Sequence, residues 1–539
     1  MTRQVDVHGT QHDRPPAGQV SRPRAAVAGV LAVGAGLAVG DLLAALVAPR
    51  AAPISVVGAL LVDHAPAFAR EWAIDTFGVH DKIALLIGVG AAVVVLSAVA
   101  GLVYPRAPVV AVGLVGAFTA VGVTAGVLRP AGTWLYVLPP LISGVVCAVV
   151  LLLFGRSAIR SARGAAGHDT GDDTCGGHPR IAAGWSRRRF LGVAVVLAGA
   201  IAATEYAVRA ISAAGGAMAE RMRLRLPGAA DPAPPIGDGV DIGVPGTTPF
   251  LTSAADFYRI DTALAVPSLT TDEWSLRIHG MVDEEVTLTW EDLTALPAME
   301  RIVTLTCVSN EVGGDLAGNG RWLGYAMRPL LERAGIHPDA DMLLSTSVDG
   351  WTGGTPLSAV RDGRDAMLAI GLNGEPLPLE HGYPVRQVIP GLYGYVSACK
   401  WVVDWEITRF DQAQAYWTRR GWGVRAPIKT ASRIDRPAPL AVLPPGPVVV
   451  AGTAWAQHRG VRRVEVRVDG GPWQTATLAR EYSTDTWRQW SWEWDAAPGL
   501  HTVECRATDA TGATQPEDRV PPIPDGATGW HSRVFRVQD

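Results

Sequence analysis

The chain has 539 residues, 48% of them hydrophobic and 18% charged, with 18 Trp. At roughly 150 residues per domain this suggests about three units, and burial on this scale excludes a disordered chain as well as a small disulfide scaffold. With 47 basic against 51 acidic residues and a net charge of −4, no global field points to nucleic acid, and partners must be read from sites.

In chain order, residues 1–24 form a polar cytoplasmic tail. Ala25 to Ala48, Ile83 to Tyr104, Val109 to Leu128 and Trp134 to Phe154 follow, nearly free of charge. Each is about 20 residues long, enough to cross a bilayer core of ~30 Å. They are apolar all round, whereas buried helices of a soluble protein keep a polar face. Residues 25–155 are therefore expected to be a four-span membrane domain. A fifth span, 190–215, starts at Phe190 and is interrupted by Glu205 and Arg209.

Arg3, Arg14, Arg22 and Arg24 in the tail, and Arg156, Arg160, Arg163, Arg180 and Arg187 to Arg189 in the loop 156–189, place both on the cytoplasmic side. Five crossings then deliver the rest of the chain outside. Ser186-Arg187-Arg188-Arg189-Phe190-Leu191 reads as an internal twin-arginine export signal, or as a plain stop-transfer cluster. Asp41 inside the first span has no basic partner in the others; an intramembrane carboxylate is a functional candidate or is tolerated near an interface. Asp63, His64, Glu71, His80 and Asp81 match no metal spacing, and the spans lack the paired His of a b-type haem.

Residues 216–252, with six prolines from Pro227 to Pro249, read as a semi-extended linker. Beyond it, 253–436 has the texture of an α+β domain. Strands are predicted at Ser275 to Ile278, Ile302 to Thr306, Met342 to Ser347 and Val385 to Ile389, with Thr289 capping a helix at Trp290. Residues 437–539 turn all-β, with Val448 to Ala454, Val464 to Val468, the alternating Trp487 to Trp494 and Thr502 to Thr508 suggesting an immunoglobulin-like sandwich.

The five cysteines Cys147, Cys175, Cys307, Cys399 and Cys505 include no C-x-x-C, and no H-E-x-x-H occurs, so disulfides, structural zinc and c-type haem are unsupported. Cys307 alone would pass for a small buried hydrophobe. It closes a predicted strand, however, and opens the turn Val308-Ser309-Asn310-Glu311-Val312-Gly313-Gly314, where a thiolate could meet a soft metal. Downstream, His381, Arg386, Ser397 and Lys400 lie among turn residues near one strand. They form either a pocket for a phosphorylated organic cofactor or an ordinary basic rim.

These segments resemble the sulfite oxidase family of molybdopterin oxidoreductases from Phe257 to His531. The resemblance is carried by Phe257-Tyr258-Arg259, Cys307 with Asn310, Arg321-Trp322-Leu323-Gly324, Asn373-Gly374-Glu375-Pro376-Leu377-Pro378, His381-Gly382-Tyr383-Pro384-Val385-Arg386, Ser397 with Lys400-Trp401, and Trp530-His531. It implies that Cys307 ligates molybdenum and that Tyr258, Arg259, Ser347, Asp349, His381, Arg386, Ser397 and Lys400 hold the molybdopterin and its phosphate. It places Arg259 and Trp422 with Cys307 in the catalytic group and makes the last domain a dimerisation module. The implied reaction is two-electron oxygen-atom transfer on a small substrate.

Val312, Trp422, Asp261 and Asp525 stand where sulfite-oxidising members carry other residues, including two arginines and a tyrosine, so the expected substrate is not sulfite. A separate cytochrome or quinone-linked membrane partner is expected to carry electrons. Alternatives are a non-catalytic envelope binding or assembly protein on the same fold and, within the enzyme class, a sulfite oxidase or methionine sulfoxide reductase.

Overall fold

The structure is a computed structural model; it describes residues 22–48, 51–66, 81–128, 134–166, 187–263 and 265–538, together with Ala69, Trp72 and Thr76. Cys175, Ser186, Glu71 and His80, singled out in the sequence, lie outside the described residues. The chain divides into two compact units, Met1–Ala214 and Gly215–Asp539.

Among the described residues of the first unit, five helices are long and apolar enough to cross a membrane: Arg22–Val47, Ala84–Val103, Pro108–Val127, Trp134–Phe154 and Arg188–Val208. Their large apolar side chains, Val94, Val95, Val195 and Val196 among them, are exposed, as lipid-facing residues should be. The first helix packs closely on two others because small residues line the seams. A Cβ added to Gly29 would run into the backbone of Gly101, and one added to Gly36 into the carbonyl of Ser143. Asp41 is half-buried in the first helix. A shorter helix, Pro53–His64, follows it and starts on a proline, which suits the first turn because its missing N–H has no partner there.

The second unit begins with the segment 216–252, which opens on the short helix Ala217–Arg221 and then runs without regular helix or strand, its Pro/Gly-rich part lying along the domain that follows. Ala230 and Asp231 donate to the carbonyl of Ala298, and Phe250 is buried. Two sheets then form the α+β domain. One has the order Val286–Thr289, Ser275–Gly280, Val402–Thr408, Met342–Ser347, Thr352–Pro356. The other runs Met299–Thr306, Ala317–Ala326, Met367–Leu372, Glu375–Pro376, with Arg386–Val388 also paired to Met367–Leu372. The helix Trp290–Thr294 starts on a capping box: Thr289 Oγ1 accepts from the Asp292 N–H and the Asp292 carboxylate accepts from that of Thr289.

The last domain is a two-sheet sandwich. Ala431–Arg436, Gly446–Trp455, Arg488–Ala496 and Thr477–Leu478 make one sheet; Val442–Leu443, His531–Val537, Gly499–Asp509, Val461–Val468 and Gln474–Thr475 make the other. Trp487 and Trp490 of the tryptophan run are fully buried, so they pack.

The sandwich braces the edge strand Met299–Thr306. Thr304 N–H donates to the Asp485 carbonyl at 2.9 Å, and Gln457 Nε2 donates to Thr306 Oγ1 at 3.0 Å. That strand leads directly into Cys307.

Candidate functional site

The strand Met299–Thr306 ends in five successive buried residues, so its end is held by packing on both faces. Cys307 continues it into a closed turn. Its N–H donates to the Leu316 carbonyl at 2.9 Å, its carbonyl accepts from Asn310 at 3.1 Å, and Asn310 Oδ1 accepts from the Leu316 N–H at 2.9 Å. Gly313, with φ of 79°, rounds the turn against the imidazole of His531, which leaves no room for a side chain.

Cys307 is 8% exposed, yet it is not walled in by aliphatic neighbours: it opens on a pocket that is itself open to solvent. Burial raises the thiol's pKa, while hydrogen bonds with Ser309 and the charge of Lys400 pull it the other way. A soft metal would complete that stabilisation of the thiolate.

The remaining pocket wall converges from five segments. The arm at 257–262 brings Phe257, Tyr258 and Asp261. The turn after Met342–Ser347 brings Ser347, Asp349 and Trp351, with Trp351 N–H donating to Asp349 Oδ1 at 3.2 Å. His381 and Arg386 come from the motif before Arg386–Val388, Lys400 and Tyr395 from the segment after it, and Trp417 and Trp422 from the loop beyond.

The electrostatics of this wall have one dominant feature, buried positive charge. Arg386 is 5% exposed; it donates to the carbonyls of His381 at 3.1 Å and Ala398 at 3.4 Å and lies over the Trp322 ring. Among the described residues its recorded hydrogen bonds all end on carbonyls, and burial lowers its pKa to about 10, which keeps it charged at neutral pH. Lys400 is likewise buried and is pushed down to about 8, with Asp261 opposing the shift from 2.8 Å. His381 sits edge-on to Phe257; burial, then Arg386 and Lys400, lower its pKa to about 3, so it is neutral.

Cys307, Tyr258, Ser347, Asp349, His381, Arg386, Lys400 and Trp422 therefore line one pocket. Two residues do not join the wall. Ser397 ends the helical turn Gly394–Ser397 and its hydroxyl is spent on the carbonyls of Leu392 at 2.9 Å and Tyr393 at 3.1 Å. Arg259 points its guanidinium at Asp261, 2.9 Å away, and stays half-exposed outside the lining. The aromatic members Trp351, Trp417 and Tyr395 were not selected from the sequence; their signal was only that each stands beside a turn.

Residues 263–417 match the family described as oxidoreductase molybdopterin binding domain, and residues 431–505 match the bacterial Ig domain. The chain is 33% identical over 153 residues to the uncharacterized oxidoreductase YuiH of Bacillus subtilis, covering 74% of that protein and 28% of its own length. It is 28% identical over 322 residues to sulfite oxidase of Gallus gallus, which covers 50% of this chain and 69% of the relative. It spans 56% of the length of the mouse counterpart. The solved structure of the sulfane dehydrogenase SoxCD from Paracoccus pantotrophus aligns with a TM-score of 0.47 at 24% identity, over 55% of this chain and 85% of that one.

Proposed function

The chain belongs to the molybdopterin-binding oxidoreductases, its central domain being related to the sulfite oxidases, and from that premise we propose that it is a membrane-anchored enzyme of two-electron oxygen-atom transfer. The reaction takes place on a small substrate outside the cytoplasmic membrane, and that substrate is not sulfite.

The observation that carries this reading is the opening of the Cys307 thiol onto a pocket whose wall also holds the buried guanidinium of Arg386. A buried cation with only carbonyl partners is costly, and an anion beside it relieves the cost. The residues thus fit a phosphate-bearing molybdopterin. Cys307 would give its sulfur to the metal, and Tyr258, Ser347, Asp349, His381, Arg386 and Lys400 would hold the pterin and its phosphate. Arg259 and Ser397 leave that set because both side chains are engaged elsewhere. When bound, the molybdenum cofactor supplies the oxygen-atom transfer itself.

The chain's own residues position and seal. The neutral imidazole of His381 offers a hydrogen bond without adding charge, Arg386 anchors an anionic group, and Trp351, Trp417 and Trp422 screen the mouth from water. Val312, which stands where the resemblance to sulfite-oxidising members puts an arginine, supports the exclusion of sulfite; its carbonyl accepts from Arg519, and both residues lie outside the pocket lining. Electrons are exchanged with a separate cytochrome or quinone-linked partner docked on the membrane helices, and the sandwich domain pairs two copies.

Metal analysis tests the reading. Protein purified from cells that make the cofactor should carry about one molybdenum per chain, and Cys307→Ser should carry much less. Folded wild-type protein without molybdenum from such cells would refute it.

A further inference from the structure

The fifth membrane-length stretch ends at Val208, and its helix runs on to Gly215. At 1.5 Å per residue that extension is about 10 Å long, comparable with the thickness of one headgroup layer beside a ~30 Å hydrocarbon core. The short helix Ala217–Arg221 begins almost at once after it. One face of this helix is fixed to the catalytic unit. Ala217 is fully buried and its N–H donates to Ser268 Oγ at 3.3 Å. Glu220 Oε1 accepts from the Tyr383 hydroxyl at 2.7 Å and from the Thr271 N–H at 2.9 Å. Arg221 Nε donates to the carbonyls of Leu377 at 2.8 Å and Pro376 at 3.1 Å. Tyr383 is itself fully buried, in the motif that carries His381 and Arg386, so the turn cannot swing freely.

The outward face carries Met218, 49% exposed, and Met222, 74% exposed, one helical turn apart, and beyond them the exposed Arg223 and Arg225. Flexible apolar side chains held out from a clamped turn, with guanidinium groups beside them, match the two layers of a membrane interface: the acyl boundary takes the thioethers and the lipid phosphates take the arginines. Bulk charge is not the attraction. Glu375 pairs with Arg221 at 3.4 Å, and Asp272 and Glu273 are exposed on the turn that Glu220 joins, so acidic and basic side chains nearly balance here. We propose that Met218, Met222, Arg223 and Arg225 are a lipid-docking surface that rests on the leaflet from which the fifth span emerges. The catalytic unit is then seated on the bilayer and does not hang from a free tether. The proposal is independent of the oxo-transfer reading; it needs only that the fifth helix crosses the membrane.

The test uses the full chain in phosphatidylcholine nanodiscs, with a nitroxide spin label attached to one introduced cysteine at a time. The parent carries Cys175→Ser; Cys147, Cys307, Cys399 and Cys505 are buried, and any label taken up by the parent itself is subtracted. Met218→Cys and Met222→Cys report on the proposed surface. Val196→Cys, on the lipid-facing side of the fifth helix, is the membrane reference, and Asp339→Cys, in an exposed turn, is the water reference. Accessibility of each label to oxygen, which concentrates in lipid, is compared with its accessibility to a water-soluble nickel chelate.

At Met218 and Met222 the ratio of oxygen to chelate accessibility should exceed that at Asp339 severalfold and approach that at Val196. Adding Arg223→Glu and Arg225→Glu should move it back towards the water value. Labels at both methionines that match Asp339 would overturn the proposal, and so would labels shielded from both reagents, which would mean that protein and not lipid covers the face. A ratio unmoved by the two charge reversals would remove the arginines from the surface. Should one methionine variant fold poorly, the other decides alone. A water-like label at Val196 would instead defeat the membrane reading of the fifth helix.

Discussion

At Arg386, the placement of a permanently charged group under 5% exposure makes a prediction whose sign is unusual for a buried residue. Because its recorded hydrogen bonds end on carbonyls, Arg386→Leu should not lower the thermal midpoint of cofactor-free protein, while molybdenum retention should fall at least tenfold. Melting curves and metal content of the same samples check both halves. A large loss of stability without loss of metal would show that Arg386 is a structural brace.

At the residue scale the sequence was legible in part. Cys307 was marked by its place between a strand and a glycine-bearing turn, and His381 and Arg386 by a turn-rich motif running into a strand. The engagement of Ser397 was not legible: a hydroxyl at the end of a helical turn back-bonds to the carbonyl four residues earlier, here that of Tyr393, and no motif announces this. Trp351, Trp417 and Tyr395 were illegible because aromatic residues are usually core, and only tertiary packing turns these three to a pocket.

Among the elements, the turn from Cys307 to Leu316 links the two domains of the second unit. His531 accepts from the Ile434 N–H at 2.9 Å, its ring fills the space beside Gly313, and Arg433 Nη1 donates to the Gly314 carbonyl at 2.8 Å. Gly313→Ala should therefore cost about 1–3 kcal/mol, from the positive φ and the clash with an imidazole, and should lower metal content by displacing Cys307. Denaturant melts and metal analysis report the two effects; an alanine variant equal to wild type in both would show that the turn yields freely.

Asp509 closes the strand Gly499–Asp509. Its carboxylate accepts from Thr430 at 2.9 Å, Arg459 at 3.0 Å and Thr511 at 2.6 Å. Hydrogen bonds from Thr511, Arg459 and Thr430 outweigh the opposing effect of burial and hold its pKa at about 2, below its usual 3.8. A depressed carboxylate pKa stabilises the fold above the unfolded value and ceases to do so as pH falls through the folded one. About 2 kcal/mol should thus be lost between roughly pH 4 and 2. Asp509→Asn should flatten that part of the stability profile, measured by urea unfolding across acidic pH.

Two of the strands not predicted from the sequence lack a readable period. Ala317–Ala326 contains Gly318, Gly320 and Gly324, which break the alternation; Gly324 is needed because a Cβ there would enter the backbone of Leu368 across the sheet. Met367–Leu372 is buried at every position, and such a run carries no period.

Over the whole molecule, architecture was the most legible level, since length and apolarity alone mark the five spans and strand spacing marks the sandwich. The segment 216–252 was legible as irregular but not as packed, because its contacts are backbone hydrogen bonds to residues such as Ala298 and scattered buried side chains such as Val240 and Phe250, which follow no period. Orientation rests on the arginine distribution and has its own test. Alkaline phosphatase fused after Asp539, which is active only outside the cytoplasm, should be active in whole cells, and a cytoplasmic reporter fused there should be silent; the reverse pattern would invert the topology.

The most direct measurement is X-ray absorption at the molybdenum edge of the purified full chain, compared between wild type and Cys307→Ser. The proposed function predicts a metal whose sulfur shell loses one scatterer in the variant, the shell of wild type being completed by Cys307. An identical sulfur shell in both proteins, with equal metal content, would contradict the role given to Cys307.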